Sequence, residues 1–271
     1  MKQLKVKISE NVKIASGVYR MRILSSYLAG SGKPGQFVEV RCSDGNDPLL
    51  RRPFSCHRIF TLGIELLYKV VGNGTEVLAR KKRGDTLDVI GPLGNGFDIK
   101  RTSNNERRTT ILVAGGIGVA PLLALAEQLA HSAKGKIYVL IGAKTKSHLL
   151  CEKEFKKLGA EILTATEDGS KGYKGFVTGL LADFLRNTND ERRTTIYACG
   201  PNAMLKEVAR LAAINKVPCQ VSLEERMACG VGVCLGCPVK VKTHNAQRIT
   251  HYEYKMVCRD GPVFDASQIA W

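Results

Sequence analysis

Aromatic residues make up only 6% of this 271-residue chain, with a single tryptophan, and acidic residues are scarce beside basic ones, 25 Asp and Glu against 41 Lys and Arg. The resulting charge of +16 raises nucleic acid as a partner, because phosphate neutralisation dominates such binding. The scarcity of aromatics argues against it: the densest basic runs, ARKKRGD and NNERRTT, contain no aromatic ring on which a base would stack. Scattered basic residues of this kind cover a solvated surface, and their field attracts an acidic protein partner or a dinucleotide. Long apolar runs are missing too. The longest uncharged apolar run, Ile111 to Ala126, is broken by three glycines and Pro121, so it reads as strand, turn and helix and predicts no membrane span. The opening MKQLKVKISENVKI alternates like a strand and has no apolar core of the kind a secretion signal requires, which gives a cytoplasmic expectation. The five histidines, His57, His131, His148, His244 and His251, show no metal-ligand spacing with one another, and no Ser-His-Asp or paired-carboxylate arrangement stands out.

Cysteine, by contrast, is plentiful. Nine cysteines without an export signal argue for reduced thiols and metal or redox chemistry, not a disulfide scaffold. Cys229, Cys234 and Cys237 follow a C-x4-C-x2-C pattern with Cys258 as a distant fourth, a spacing that suits a [2Fe–2S] cluster. The loop ACGVGVCLGC places Gly230, Gly232 and Gly236 where a backbone must curl round inorganic sulfides and aim its N–H groups at them. Zinc is the competing metal, although its sites usually take ligands as two separated short pairs and only one C-x-x-C is present. Cys42, Cys56, Cys151 and Cys219 read as small, partly buried hydrophobes.

The chain divides into three expected parts. Residues 1–100 carry six short strands at turn-punctuated intervals, LKVKI, GVYRMRIL, GQFVEV, PFSCHRI, IELLYKVV and TLDVI, which predict a small antiparallel β-barrel. One helix interrupts them, opening at Gly74-Thr75 with Thr75 as its expected N-cap. In residues 101–221, apolar strands alternate with helical patterns, which predicts a parallel α/β nucleotide-binding domain. Residues 222–271 hold the cysteine loop and two short strands, a C-terminal cluster-binding module. The segment ERRTT occurs before two of the apolar strands, and we read both copies as polar, Asn-rich turns.

Two glycine-marked turns fall in the second part. Gly115, Gly116 and Gly118 lie between its first strand and first helix, where backbone N–H groups approach a pyrophosphate, although the sequence is not a strict G-x-G-x-x-G. Cys199, Gly200 and Pro201 end a later strand of the same sheet. Cys199 lies against a nicotinamide, or is simply the small residue that permits the Gly-Pro turn. In the barrel, Arg52 of RRPFS is placed to pair with a phosphate, Ser55 to meet an isoalloxazine edge, and the Gly74-Thr75 helix start to receive a pyrophosphate. An ordinary basic turn accounts for the same residues by composition. Lys144 and Lys146, after the second strand, either attract a 2′-phosphate or are surface lysines.

Taken in order, these segments resemble the ferredoxin-reductase superfamily along the whole chain. More narrowly, PLLRRPFS (Pro48 to Ser55), VIGPLGNGF (Val89 to Phe97), SLEERMACGVGVCLGCPVKV (from Ser222) and VCRDGPVF (Val257 to Phe264) resemble the electron-transfer subunits of type B dihydroorotate dehydrogenases. Ala114 and Ala120 stand where that family's glycine turn commonly has Gly and Pro, and Leu235-Gly236 where it has an aromatic-Ala pair. The resemblance implies FAD contacts by Arg52, Pro53, Phe54 and Ser55, by Leu67, Tyr68 and Lys69, and by Gly74 and Thr75. It implies that Cys229, Cys234, Cys237 and Cys258 hold the cluster and that NAD is the dinucleotide. It also implies a separate catalytic subunit carrying FMN, as a heterotetramer of two of each, with no dihydroorotate site in this chain. The rival reading within redox enzymes is the flavin and iron–sulfur subunit of a NAD(P)-dependent ferredoxin oxidoreductase or sulfide dehydrogenase. The RRPFS and GNGF segments weigh against it. A zinc-bearing, basic nucleic-acid-binding protein is the rival from another class.

Overall fold

The computed structural model describes residues 1–99, 109–132, 135–187, 194–244 and 250–271. Residues 100–108 and 188–193, which carry most of the two ERRTT copies expected as polar turns, lie outside them.

The six expected strands of the first part are β1 (Lys2–Ala15), β2 (Val18–Leu24), β3 (Phe37–Arg41), β4 (Arg52–Phe60), β5 (Gly63–Lys69) and β6 (Thr86–Leu93). They close into an antiparallel barrel in the order β1-β2-β5-β4-β3-β6. The alternation of the strands fills its interior: Val6, Ile8, Met21, Ile23, Val38, Val40, Ile64, Leu66, Leu87 and Val89 share one buried cluster. Burying each such side chain stabilises the barrel by roughly 1.5–3 kcal/mol. Two helices, not one, interrupt the strands. The unforeseen one, α1 (Ser26–Ser31), is a single turn and a half whose cap, Ser25 Oγ, accepts from Leu28 N at 3.2 Å while Leu28 plugs the barrel end. The foreseen one is α2 (Asn73–Arg80), and its N-cap is Gly72, not Thr75. Thr75 sits three residues further on, where its Oγ1 accepts from Val71 N at 2.9 Å and Gly72 N at 3.2 Å. The hydroxyl therefore ties the helix back to the incoming loop instead of opening it.

The second part begins with β7 (Thr109–Gly115) and a single 3-10 turn (Gly116–Gly118) leading into α3 (Val119–Ser132). It continues through β8 (Lys136–Ala143), α4 (Glu152–Lys157), β9 (Glu161–Thr166), the two-residue β10 (Tyr173–Lys174), α5 (Val177–Arg186), β11 (Thr194–Cys199), α6 (Asn202–Ile214) and β12 (Cys219–Ser222). These strands are parallel and nearly continuously apolar, as a sheet covered on both faces requires. The helical pattern LLCEKEFKKL starts late, at Glu152, because Cys151 adopts a left-handed backbone with φ 61°.

The last part adds a hairpin, β13 (Pro238–His244) and β14 (Thr250–Met256), one helical turn, α7 (Val257–Asp260), and β15 (Val263–Asp265). Strand β15 pairs antiparallel with β12, so the seven-stranded sheet runs β10-β9-β8-β7-β11-β12-β15 and takes its edge strand from beyond the cysteine loop. Phe37 and Leu93 of the barrel share a buried apolar cluster with Val257, Cys258 and Phe264, which fastens the cysteine module to both neighbours. No helix among the described residues is long and apolar enough to cross a membrane.

Candidate functional site

The cysteine loop follows β12 directly. Cys229 is half-buried, Cys234 exposed, and Cys237 and Cys258 buried. Cys237 immediately precedes β13 and Cys258 lies on α7, so the hairpin carries the chain out and returns the fourth thiol to the first three. Backbone amides turn inward on the sulfurs. Val231 N and Cys234 N donate to Cys229 Sγ at 3.4 and 3.5 Å, Gly232 N to Cys258 Sγ at 3.1 Å, and Cys258 N to Cys237 Sγ at 3.4 Å. Left-handed backbone is required at Gly230 (φ 69°) and Gly232 (φ 81°). The third such residue is Leu235 (φ 55°) and not Gly236, so the expected role of Gly236 falls one residue earlier.

The contacts sort the thiols into two pairs, Cys229 with Cys234 and Cys237 with Cys258. Among the described residues no three His, Cys, Asp or Glu side chains converge as they would on a single metal ion. Two thiol pairs with inward amides fit a two-iron cluster, one pair to each iron, better than one tetrahedral zinc. At Cys229 burial opposes ionisation, but the amides of Cys234 and Val231 outweigh it and draw the pKa down to about 6. Cys258 is pushed up to about 12 by burial and then by the neighbouring Cys237 thiol.

Beside the loop, a cleft of about 350 Å³ opens between the barrel and the nucleotide sheet. Arg52, Pro53, Phe54 and Ser55, Leu67, Tyr68 and Lys69, and Thr75 all line it, so three separate segments of the barrel meet on one wall. The side chain of Tyr68 belongs to the barrel core, stacked on Tyr19 with ring centroids 5.7 Å apart. Gly74 stands just behind: a Cβ there would lie 3.0 Å from Arg52 Nε and 3.3 Å from Cys42 Sγ. The absence of that atom lets the guanidinium lie against the start of α2, where free N–H groups already favour an anion. An Arg beside a helix start, with an apolar cleft leading from it, fits a flavin dinucleotide: the pyrophosphate at the helix and the ring in the cleft.

The opposite wall was not expected from sequence. It consists of Ile117, Ala120 and Pro121 from the first turn of the nucleotide sheet and Ser222, Leu223, Glu224, Glu225, Met227 and Pro262 from the cysteine module. The signal was available, since SLEER leaves the carboxyl end of a sheet strand, where ligands of open α/β sheets bind. Gly115, Gly116, Gly118, Cys199, Gly200 and Pro201 do not line the cleft, and all but Gly116 pack on one another. Cys199 pairs with Ala114 across β11 and β7, a Cβ on Gly118 would collide with the Cys199 carbonyl, and one on Gly115 would meet Pro201 and Met204. Only Gly116 faces open space, at φ 55°. Cys199 is buried, and burial, reinforced by the charge of Glu224, pushes its pKa well up. Although Glu224 keeps exposed surface, its carboxyl is crowded by the cleft walls and its pKa is raised by that burial.

A ferredoxin-reductase-type barrel and a parallel nucleotide domain that meet at one cleft, with a tetrathiolate loop following directly on a segment of its wall, define a flavin- and iron–sulfur-dependent oxidoreductase. Comparison with known proteins agrees. Residues 224–270 match the iron–sulfur cluster binding domain of dihydroorotate dehydrogenase B, and residues 112–210 an oxidoreductase NAD-binding domain. The chain is 42% identical over 261 residues, 95% of it and 94% of the relative, to the dihydroorotate dehydrogenase B (NAD(+)) electron transfer subunit of Desulforamulus reducens. The like-named protein of Caldanaerobacter subterraneus subsp. tengcongensis is 38% identical over 98% of both chains. Among solved structures, an NADH-dependent reduced ferredoxin-NADP oxidoreductase is similar at TM-score 0.82 and 33% identity, covering 98% of this chain and 90% of that one. A ferredoxin NADP+ reductase from Neisseria gonorrhoeae shares the fold at TM-score 0.66 and 17% identity, covering 79% of this chain and 92% of that one. The chain belongs to the family of dihydroorotate dehydrogenase B (NAD(+)) electron transfer subunits.

Proposed function

We propose that this chain passes electrons from a separate, FMN-containing dihydroorotate dehydrogenase subunit through a [2Fe–2S] cluster and FAD to NAD+, in pyrimidine biosynthesis. One observation carries the reading: the segment Ser222–Met227 lines the flavin cleft and runs directly into Cys229, so the cleft and the thiol ring share a wall. When bound, the flavin supplies the conversion between one-electron and two-electron hydride chemistry. The residues of the chain do the holding. Arg52 and the Gly74-Thr75 helix start take the pyrophosphate. Pro53, Phe54, Ser55, Leu67, Tyr68 and Lys69 form one side of the ring site, and Ile117, Ala120 and Pro121 close the other and exclude water from it.

Gly115 and Gly118, packed against Cys199, Gly200 and Pro201, shape the dinucleotide site at the end of β7 and β11 together with the open Gly116, with Cys199 nearest the nicotinamide. The dinucleotide is NAD, as in the names of the relatives, and Lys144 and Lys146 are surface lysines. The functional units are residues 1–100 for FAD, 101–221 for NAD and 222–271 for the cluster. The catalytic subunit docks on the edge of the thiol ring at Cys234, the exposed ligand, which is flanked by Val233 and Leu235 at 79% and 64% exposure. Such apolar side chains at an electron exit exclude water once covered. Two copies of each subunit make the complex.

The test is dihydroorotate-dependent NAD+ reduction by this chain, loaded with FAD and cluster and mixed with the FMN-containing candidate partner of the same organism, against each component alone. Activity only in the mixture is expected. Fully loaded, associated proteins without it would move the assignment to a ferredoxin-linked oxidoreductase.

A further inference from the structure

The wall of the flavin cleft opposite the barrel carries a charge that neither the flavin reading nor the cluster reading uses. Strands β11 and β12 run side by side to their carboxyl ends, where Cys199 pairs with Ser222, and Glu224 follows two residues beyond that pair. It lines the cleft together with Ile117, Ala120 and Pro121, which lead from the turn after β7 into α3. The buried Cys199 thiol, pushed up in pKa first by its burial, is pushed further by the charge of Glu224. Glu224 therefore stands where the flavin cleft meets the dinucleotide turns, the place at which hydride passes between the two rings.

In a chain with 41 Lys and Arg, this carboxyl has no hydrogen bond or ion pair among the described residues. The other charged side chains lining the cleft are Glu225 beside it and, on the barrel wall, Arg52 and Lys69. Arg52 Nη1 is occupied by the Leu50 and Arg51 carbonyls at 2.7 and 3.2 Å. Burial raises the pKa of Glu224, and no cation among the described residues draws it back. A half-dry carboxylate without a counter-charge favours the arrival of a cation, and attraction across such a cleft exceeds that in bulk water. A dinucleotide offers that cation in one oxidation state only: the oxidised nicotinamide ring is positive and the reduced ring neutral, while the phosphates and riboses are the same in both.

We propose that Glu224 is the residue by which this chain tells oxidised from reduced dinucleotide: its carboxylate attracts the positive ring of NAD+ and offers the neutral ring of NADH no such attraction. The inference rests on the flavin and dinucleotide readings above. Hydride transfer to the ring cancels its charge, and Glu224 neither gives nor takes a proton or an electron in that step. An attraction that vanishes on reduction favours entry of NAD+ and departure of NADH, the direction of the proposed activity. Glu224 selects the oxidation state of the substrate and leaves the chemistry to the flavin.

The experiment is a calorimetric titration of the oxidised, cofactor-loaded complex with NAD+ and with tetrahydro-NAD, an analogue whose ring is neutral and cannot give hydride. Wild type, Glu224→Gln and Glu224→Asp are compared in one mildly alkaline buffer, where the carboxyl is ionised. E224Q is expected to bind NAD+ about tenfold more weakly, the equivalent of about 1.4 kcal/mol, and the analogue within about twofold of wild type. E224D, which keeps the charge, is expected to keep most of the preference for NAD+. An unmoved ratio of the two dissociation constants in E224Q, or equal weakening of both ligands, overturns the proposal. So does a ratio in E224D that falls as far as in E224Q, because shape and not charge would then decide. Should E224Q fail to retain FAD, Glu224→Ser decides by the same ratio. A loaded wild type that binds neither ligand overturns the dinucleotide reading as well, whereas normal binding of both with an unmoved ratio overturns this inference alone.

Discussion

His57 Nδ1 lies 2.9 Å from the carbonyl oxygen of Ala120, so barrel strand β4 and helix α3 are joined by a buried hydrogen bond. That contact fixes the tautomer: Nδ1 carries the proton, and Nε2, 3.9 Å from Cys151 Sγ, is left to accept from the thiol. Cys151 stays a thiol because burial pushes its pKa up to about 12. Glu65 Oε1 is also 3.9 Å from Nε2, but Glu65 is held by Arg22 Nε at 2.6 Å, and burial keeps the imidazole neutral, with its pKa drawn down to about 4. Cys151, His57 and Ala120 therefore form a short relay of hydrogen bonds across the joint between barrel and nucleotide domain. The ion pair of Arg58 with Glu127 at 2.6 Å reinforces the same joint from the rim.

This joint makes stability depend on pH in a definite direction. Above pH 6.5 His57 is neutral folded and unfolded. Between pH 6.5 and 4 the unfolded chain takes up a proton that the folded chain refuses, so stability falls as pH falls. The slope is about 1.4 kcal/mol per unit, or roughly 3 kcal/mol across the window. We expect His57→Gln, although less stable near pH 7, to lack this component, so that the difference in melting temperature between wild type and variant narrows steadily from pH 6.5 to 4. A constant difference over that range contradicts the assignment of His57 as neutral.

The glycines at the first turn of the nucleotide sheet separate into two kinds. Gly118 is required by contact, since a Cβ would strike the carbonyl of Cys199, whereas Gly116 is required only by its backbone conformation. Gly118→Ala must push the two turns apart, at a cost of roughly 1–3 kcal/mol, and should raise KM for NADH about tenfold or more, the equivalent of about 1.4 kcal/mol of binding. Gly116→Ala should cost about 1 kcal/mol in stability and change KM less. Steady-state NADH-dependent dye reduction distinguishes them, and equal effects on KM would place the dinucleotide elsewhere.

What the sequence made legible, and what it hid, follow from the range of the interactions. The six barrel strands and the parallel α/β character of the second part were readable because period-two alternation and strand–helix alternation are local signals, whereas the order of the strands in that sheet was not. The thiol ring was readable because three ligands and three glycines crowd one loop. Thr75 was misplaced by three residues because a Thr near a helix start can cap in either direction, and only the loop from Val71 decides which amides it meets. The roles of Ser222 to Met227 as cleft wall, of Glu224 beside Cys199, and of His57 against Ala120 each depend on contacts between distant parts of the chain, and no spacing within any one segment announces them.

Thr75 supplies the next expectation. Its hydroxyl accepts from two loop amides and donates to the Gly72 carbonyl at 2.8 Å, holding the approach to α2 in the shape that Arg52 and Gly74 complete. Thr75→Val keeps the shape of the side chain and removes all three bonds, costing about 1–2 kcal/mol. We expect FAD to dissociate about tenfold more readily, measured as the rise in flavin fluorescence on dilution, with the cluster absorbance retained. Retention of FAD at the wild-type level would show that the helix start does not hold the pyrophosphate.

Cys237 separates the two halves of the electron path. It is buried, it accepts from Cys258 N at 3.4 Å, and its carbonyl accepts from Val257 N at 2.9 Å, so the backbone of α7 stays anchored even if the sulfur is replaced. Cys237→Ser should therefore leave the hairpin and the flavin cleft in place while weakening one of the two thiol pairs. A hard alkoxide or neutral hydroxyl is a poor substitute for a soft thiolate on iron. NADH-dependent reduction of a dye that takes electrons from the flavin should remain within about twofold of wild type, since Gly118, Cys199 and the cleft walls are untouched. Dihydroorotate-dependent NAD+ reduction in the mixture with the catalytic subunit should fall by at least about a hundredfold if the cluster is the one-electron link of the proposed path between the subunits. Equal loss of both activities would show that the thiol ring is a structural clasp for the flavin cleft, while equal retention would route the electrons around it.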